Sequence, residues 1–109
     1  MAVFYAVMVE VDPQEEVTWN DWHTRQHIQD VLSEPGFVRA NKYRLDTSNS
    51  DWSQYLTLYE VESREALDAY LKGEAVVRLR ADHYTRYGHC TRLSRMILTP
   101  TAAVGKPAG

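Results

Sequence analysis

The stretch from Trp19 to Phe37, WNDWHTRQHIQDVLSEPGF, constrains this chain more than any other, because it joins an amphipathic helix, a hard stop and a histidine pair. From Val17 to Leu32, the positions Val17, Thr24, Ile28, Val31 and Leu32 share one face at about 100° per residue. Pro35-Gly36 then ends the helix and turns the chain, and Phe37 opens a strand. A helix that buries one stripe and at once feeds a strand is built to lie on a sheet. His23 and His27, four apart, stand one above the other about a quarter turn from the middle of that stripe, with Trp19 one turn further back. Both histidines are therefore expected at the rim of the buried face, where a side chain meets a ligand.

The rest of the chain supplies the sheet. Val3 to Val11 alternates with both sets largely apolar, which predicts a strand buried on two sides. Asp12-Pro13 breaks it, and Glu15 and Glu16 suit the start of the helix. A second strand is expected over about Phe37 to Leu45, with the side of Phe37, Tyr43 and Leu45 turned inward. The run DTSNSDWS reads as a turn into a third strand, QYLTLYEVE, antiparallel to the second. Ser63 is a plausible N-cap for a helix with Leu67, Tyr70 and Leu71 on its inner stripe, ending or kinking at Gly73. A further helix from Glu74 to about Tyr84 aligns Val76, Leu79, His83 and Tyr87, which turns His83 inward. Gly88 leads to a last strand, HCTRLSRMIL, with Thr91, Leu93, Arg95 and Ile97 on one face. Strand, helix, strand occurs twice. This order predicts one ferredoxin-like α+β domain over residues 1–99, an antiparallel four-stranded sheet with helices on one face, followed by a flexible tail over 100–109. The sheet face without helices is also apolar, so a homodimer packed sheet to sheet is expected.

Composition narrows the partners. With 109 residues, 44% of them hydrophobic, there is material for one core and little more. A formal charge of −3 with scattered Lys and Arg lacks the basic footprint of a nucleic-acid binder. Cys90 stands alone, which fits a reducing compartment and makes the cytoplasm the expected location. No basic leader precedes the apolar start and no run reaches membrane-spanning length, so neither secretion nor a membrane partner is expected.

The pattern WxxWHxxxHIxxxLxxPGFxxAxxYR, Trp19 to Arg44, followed by YLTLYEVES, resembles the small dimeric α+β barrel proteins of the EthD-like kind over roughly residues 3 to 98. The resemblance implies a ligand pocket inside each protomer, between helices and sheet. Proteins of this build include polyketide cyclases, lactone isomerases and monooxygenases, so it leaves the reaction open. The helix histidine that precedes an apolar residue and then Leu-x-x-Pro-Gly-Phe corresponds to His27. His23 falls where such proteins vary and are often aromatic.

The residues themselves weigh the chemistry. Two histidines four apart suit a shared metal ion, but Thr24 follows His23 where an HExxH helix has its glutamate, and no third ligand is tied to the pair. No metal, haem or other cofactor is therefore expected, and phosphate-binding loops are missing. His89 and Cys90, adjacent on a strand, point to opposite faces, so Cys90 reads as a small buried residue. General acid–base chemistry needs only a histidine titrating near neutrality and a shaped pocket. Tyr5, Tyr43, Tyr55, Tyr59, Trp22 and Phe37 are candidate walls for a small cyclic or aromatic substrate. Aromatic residues at strand spacing are ordinary core in most proteins, so this reading leans on the histidines. The expectation is a cofactor-independent isomerase, lyase or cyclase with His27 as acid or base, close to His83 or a tyrosine, and with His23 and His83 as further catalytic candidates. The alternatives are a non-catalytic dimeric binding protein for such a metabolite and an oxidative enzyme of the EthD or monooxygenase type.

Overall fold

Apolar side chains on both faces put β1 (Val3–Val11) inside the sheet rather than at its edge. In the computed structural model, which describes residues 1–46 and 50–108, β1 pairs antiparallel with β3 (Ser53–Val61) on one side and β4 (Thr91–Leu98) on the other. The edge strand β2 (Phe37–Arg44) completes the order β2-β3-β1-β4. Between β1 and β2 the chain forms α1 (Glu16–Trp22), a π-helical turn (His23–His27) and α2 (Ile28–Leu32). Between β3 and β4 it forms α3 (Arg64–Lys72), α4 (Glu74–Tyr87) and a 3-10 turn (Gly88–Cys90). This is the ferredoxin-like α+β fold, an antiparallel sheet of four strands. Among the described residues no helix is long and apolar enough to cross a membrane.

Helices cover the sheet face of Val3, Tyr5, Tyr59 and Val61, which pack with Ile28, Val31, Leu67, Tyr70, Val76 and Leu79. A second cluster joins Val9, Val11 and Tyr55 to Trp19 at the other end of that face. The alternate residues Phe4, Met8, Leu56, Leu58, Met96 and Leu98 lie on the opposite face, where Met96 and Leu98 are exposed.

Two expectations are corrected, each by a single extra residue. In β2, Phe37 pairs with Val61 and Arg39 with Glu60, so Val38 forms a bulge. The bulge shifts the alternation. Phe37, Ala40 and Lys42 keep the helix side while Tyr43 emerges on the opposite face, 52% exposed, rather than inward. In the first helical stretch the π turn does the same. Counting back from Ile28 at 3.6 residues per turn puts Thr24 and Val17 inside, but one additional residue in the turn puts His23 and Trp19 there instead. Trp19 and His23 are accordingly buried, whereas Val17 is 82% exposed and Thr24 lies outside.

Elsewhere local chemistry sets the boundaries. The Ser63 hydroxyl accepts from the Ala66 N–H at 3.1 Å and caps α3, a bond that stabilises by about 1 kcal/mol. His89 and Cys90 belong to the 3-10 turn rather than to β4. Of the turn expected over residues 46–53, residues 47–49 lie outside the described residues, and 100–108 carry no regular secondary structure.

Gly36 is the hinge between α2 and β2. Its φ of +85° is one that a side chain disfavours, its C=O accepts from the Glu62 N–H at 2.8 Å, and an added Cβ would stand 2.5 Å from the Ala66 Cβ. Gly36→Ala is expected to lower the unfolding free energy by about 2 kcal/mol in urea titrations, with Ala66→Gly in the same chain recovering part of the loss. Unchanged stability would contradict the placement of this turn.

Candidate functional site

The π turn gathers aromatic and imidazole rings against α4. Its i to i+5 geometry shows in the Ile28 N–H, which donates to the His23 C=O. Such turns are frequent at functional sites because they rotate side chains that a regular helix would leave outside. Trp19 stacks on His23 at 4.5 Å, and His23 stacks on His27 at 5.3 Å with 21° between the rings. From α4, His83 meets His27 edge-on at 5.6 Å and His23 at 6.4 Å. Trp22 closes the group, 5.3 Å from His27, 5.7 Å from His83 and 5.3 Å from Tyr87. The three histidines expected from the sequence thus come together. His23 is not at the rim, being 2% exposed, and His27 alone of the helix pair is half-buried.

Hydrogen bonding fixes one tautomer. The Trp19 indole N–H donates to His83 Nε2 at 3.1 Å, so that nitrogen is unprotonated and a neutral His83 carries its proton on Nδ1. Burial, with His27 and Arg95 adding positive influence, pushes His83 down to about 4. Burial, then Lys42 and the two other histidines, takes His23 down to about 2. His27 is also lowered, mainly by burial, but Asp30 and Asp82 oppose the shift before Arg95 and Lys42 add to it. Lys42 reaches the cluster from β2, its ammonium 4.5 Å over the Trp19 ring and donating to Asn20 Oδ1 at 2.6 Å and Thr24 Oγ1 at 3.1 Å. Burial lowers Lys42 to about 8.

Two buried polar atoms have no partner among the described residues, the Trp22 indole N–H and His23 Nδ1. Each such atom costs about 1–3 kcal/mol when it is left unpaired away from water, so a site that keeps two invites a polar ligand. A cavity of about 30 Å³ lies on the His23 side of the cluster, lined by His23 and His27, by Tyr5, Tyr59 and Tyr70, and by Arg80 and Arg95. As it stands it takes a water molecule or little more. A larger hollow of about 290 Å³ lies between the Pro35-Gly36 turn and α3, but Glu34, Glu62 and Glu74 border it on small residues and no histidine reaches it. The acid–base groups belong to the smaller space.

Of the expected walls, Tyr5 and Tyr59 line this cavity, and Phe37 packs behind it, edge-on to Tyr59 and Tyr70. Trp22 flanks the histidines. Tyr55 packs on Trp19, and its hydroxyl donates to Glu16 Oε2 at 2.5 Å. Tyr43 does not take part, because the β2 bulge has moved it to the other side of the sheet. Sequence reasoning missed Tyr70, Arg80, Arg95 and Lys42. Arg95 did leave a trace: a cation between Leu93 and Ile97 on the inward face of a strand. Burial raises the Cys90 thiol and its Sγ lies 3.6 Å from the Tyr87 carbonyl oxygen, as suits a small buried residue. No group of three or more His, Cys, Asp or Glu among the described residues is arranged to hold a metal ion.

The family model described as a domain of unknown function, DUF4286, matches residues 2–101. No curated protein matches the chain. Solved structures do. An ethyl tert-butyl ether D (EthD) family protein from Bacillus halodurans C-125 superimposes with a TM-score of 0.67 at 16% identity, over 93% of this chain and 100% of that one. A variant of SnoaB, a cofactor-independent oxygenase from Streptomyces nogalater, gives 0.69 at 15% identity over 96% and 98%. HapK from Hahella chejuensis gives 0.68 at 16% identity over the whole of both chains. At such identities the likeness is one of fold, and the resemblance to EthD-like proteins holds at that level.

The neutral histidines make stability depend on acid. Unfolded, each takes a proton near pH 6.5; folded, His83 resists until about 4 and His23 until about 2, so the unfolded state binds more protons in between. Stability is therefore full above pH 7 and lost as pH falls below 6.5, by about 1.4 kcal/mol per pH unit for each of the two. Urea midpoints measured from pH 7.5 to 5 check this, with His27, also lowered, adding to the slope, and His83→Gln is expected to make the slope shallower. A flat profile would mean that the histidines titrate alike in the folded and unfolded states, so that burial does not lower them.

Proposed function

Given that the chain belongs to the DUF4286 family, whose description leaves the activity open, we propose that it moves a proton on a small cyclic or aromatic metabolite without a cofactor, His27 serving as the acid–base group. The observation that carries this reading is His27 itself: half-buried on the wall of the cavity, its ring held between His23 at 5.3 Å and His83 at 5.6 Å. Packing orients it, since among the described residues no hydrogen bond occupies its nitrogens.

The division of labour follows from the surroundings. A base must be neutral before it acts, and burial keeps His27 so. On accepting a proton from an acidic C–H or O–H of the substrate it becomes a cation, which Asp30 and Asp82 favour. His83 cannot compete through Nε2 while the Trp19 N–H occupies that lone pair, and His23 is too deeply buried to charge. The Trp22 ring, 5.3 Å from His27, packs against the base from outside the cavity and helps to hold it in place. Return of the proton at another carbon gives an isomerase; ring closure or elimination from the same anion gives a cyclase or lyase. The fold it shares with SnoaB favours a second outcome, reaction of the substrate anion with dioxygen. Both begin with one deprotonation. Tyr5, Tyr59 and Phe37 would confine the ring, His23 and His83 holding His27 in place.

Deuterium uptake into enolisable cyclic ketones, lactones and phenols tests the proton step, and oxygen consumption separates the second outcome. His27→Gln is expected to lower turnover by ~100-fold or more with folding intact. Full activity in that variant, or no exchange with any compound beside tight binding, would favour a binding protein instead.

We also place the working unit as a homodimer in the cytoplasm, packed through the face of Phe4, Met8, Leu56, Leu58, Met96 and Leu98, whose apolar side chains no helix covers. Light scattering at micromolar concentration should give twice the chain mass, and Leu58→Asp should halve it. A wild-type monomer would remove the argument.

A further inference from the structure

Charge around the cavity is one-sided. Arg95 stands on the inward face of β4, paired in register with Val7 and flanked on that face by Leu93 and Ile97, with its side chain exposed at the cavity rim. Among the described residues it has neither a hydrogen bond nor an ion pair. Arg80 borders the same cavity from α4, and its one bond is to the Tyr5 hydroxyl, at 3.0 Å. By contrast Arg25, Arg39, Arg44, Arg64 and Arg86 each lie against a carboxylate. No Asp or Glu among the described residues lines the cavity, although the chain as a whole carries a formal charge of −3. Two guanidinium groups without carboxylates therefore face one space from opposite sides, helix and strand.

The inner end of that space differs. There His23, almost wholly buried, presents a wall with its Nδ1 unpartnered. Tyr5, Tyr59 and Tyr70 line the cavity between the two ends. A ligand that satisfies both ends has a flat body, a negative group for the arginines, and a hydroxyl or carbonyl for His23.

We propose that the ligand of this cavity is a ring-bearing organic carboxylate, its carboxylate gripped by Arg80 and Arg95 and its opposite polar atom directed to His23. The proposal rests on the reading of this cavity as a small-molecule site and names the class of molecule it takes. Guanidinium and carboxylate match in a planar, two-pronged geometry that a neutral amide does not reproduce. The cavity of about 30 Å³ is smaller than a ring, so entry requires its rim to move, and both arginines are long, exposed side chains on that rim. Arg95, tied to nothing, swings without breaking a bond. Binding also acts on the base: Arg95 is one of the cations that hold His27 down, so a carboxylate that neutralises it makes His27 more basic when substrate arrives.

Calorimetric titration with benzoate, 4-hydroxybenzoate and cyclohexanecarboxylate, against 4-hydroxybenzamide, tests this, with histidine ring signals followed by NMR. At least one carboxylate is expected to bind ~10-fold or more tightly than the amide, and Arg80→Met and Arg95→Met each to weaken it by ~10-fold while amide binding stays the same. The His27 titration should move to higher pH in the bound state, and Arg95→Lys should restore part of the affinity. Equal affinity for acid and amide, no binding of any of the carboxylates, or indifference to both arginine substitutions would overturn the proposal. The two readings fail separately. Arginine-dependent binding with full activity in His27→Gln would sink the proton-transfer reading alone; His27-dependent turnover of neutral rings without carboxylate binding would sink the anion site alone.

Discussion

The hydrogen bond from the Trp19 indole to His83 joins residues 64 positions apart, and most of the site depends on it. It fastens α1 to α4 across the interior, where either polar atom would otherwise be stranded at a cost of about 1–3 kcal/mol. It also decides chemistry. A donor aimed at Nε2 requires a lone pair there, so the bond and the neutral imidazole stand or fall together, and an interior this dry favours the neutral form in any case. One contact therefore both braces two helices and keeps a proton off His83 Nε2.

Around that bond the sheet contributes charge rather than bulk. Glu16 at the start of α1 accepts from the Ser53 and Tyr55 hydroxyls and meets Arg44, and these hydrogen bonds hold its carboxyl below the usual range. It pins the helix to β2 and β3 at one end. Lys42, two residues before Arg44 and on the same face of β2, sits beneath the Trp19 ring and adds positive potential where the histidines lie. The cluster is thus neutral because its neighbours are cations as well as because it is buried.

The order of elements was legible because each depends on local composition: two-sided apolar alternation in β1, the Ser63 cap, the Pro35-Gly36 stop. The inward turn of His83 was legible too, since α4 is regular from Glu74 to Tyr87 and its period holds. What escaped were two one-residue insertions. A period of 3.6 or of 2 locates a face only while the backbone keeps step, and neither the π turn at His23–His27 nor the bulge at Val38 announces itself in residue type. Each error then propagated in one direction: Val17 and Thr24 were put in the place of Trp19 and His23, and Tyr43 was put on the wrong side. The faces of Ile28 and Val31, after the π turn, and of Phe37, before the bulge, agree with the sequence pattern.

The π turn has a consequence for how such a site is inherited. The arrangement is written partly in a count, since in a helix shorter by one residue His23 and Trp19 would face elsewhere, with Thr24 rotated toward the sheet. Loss of a single residue between Trp22 and Ile28 would therefore turn His23 away from His83 while sparing all three imidazoles.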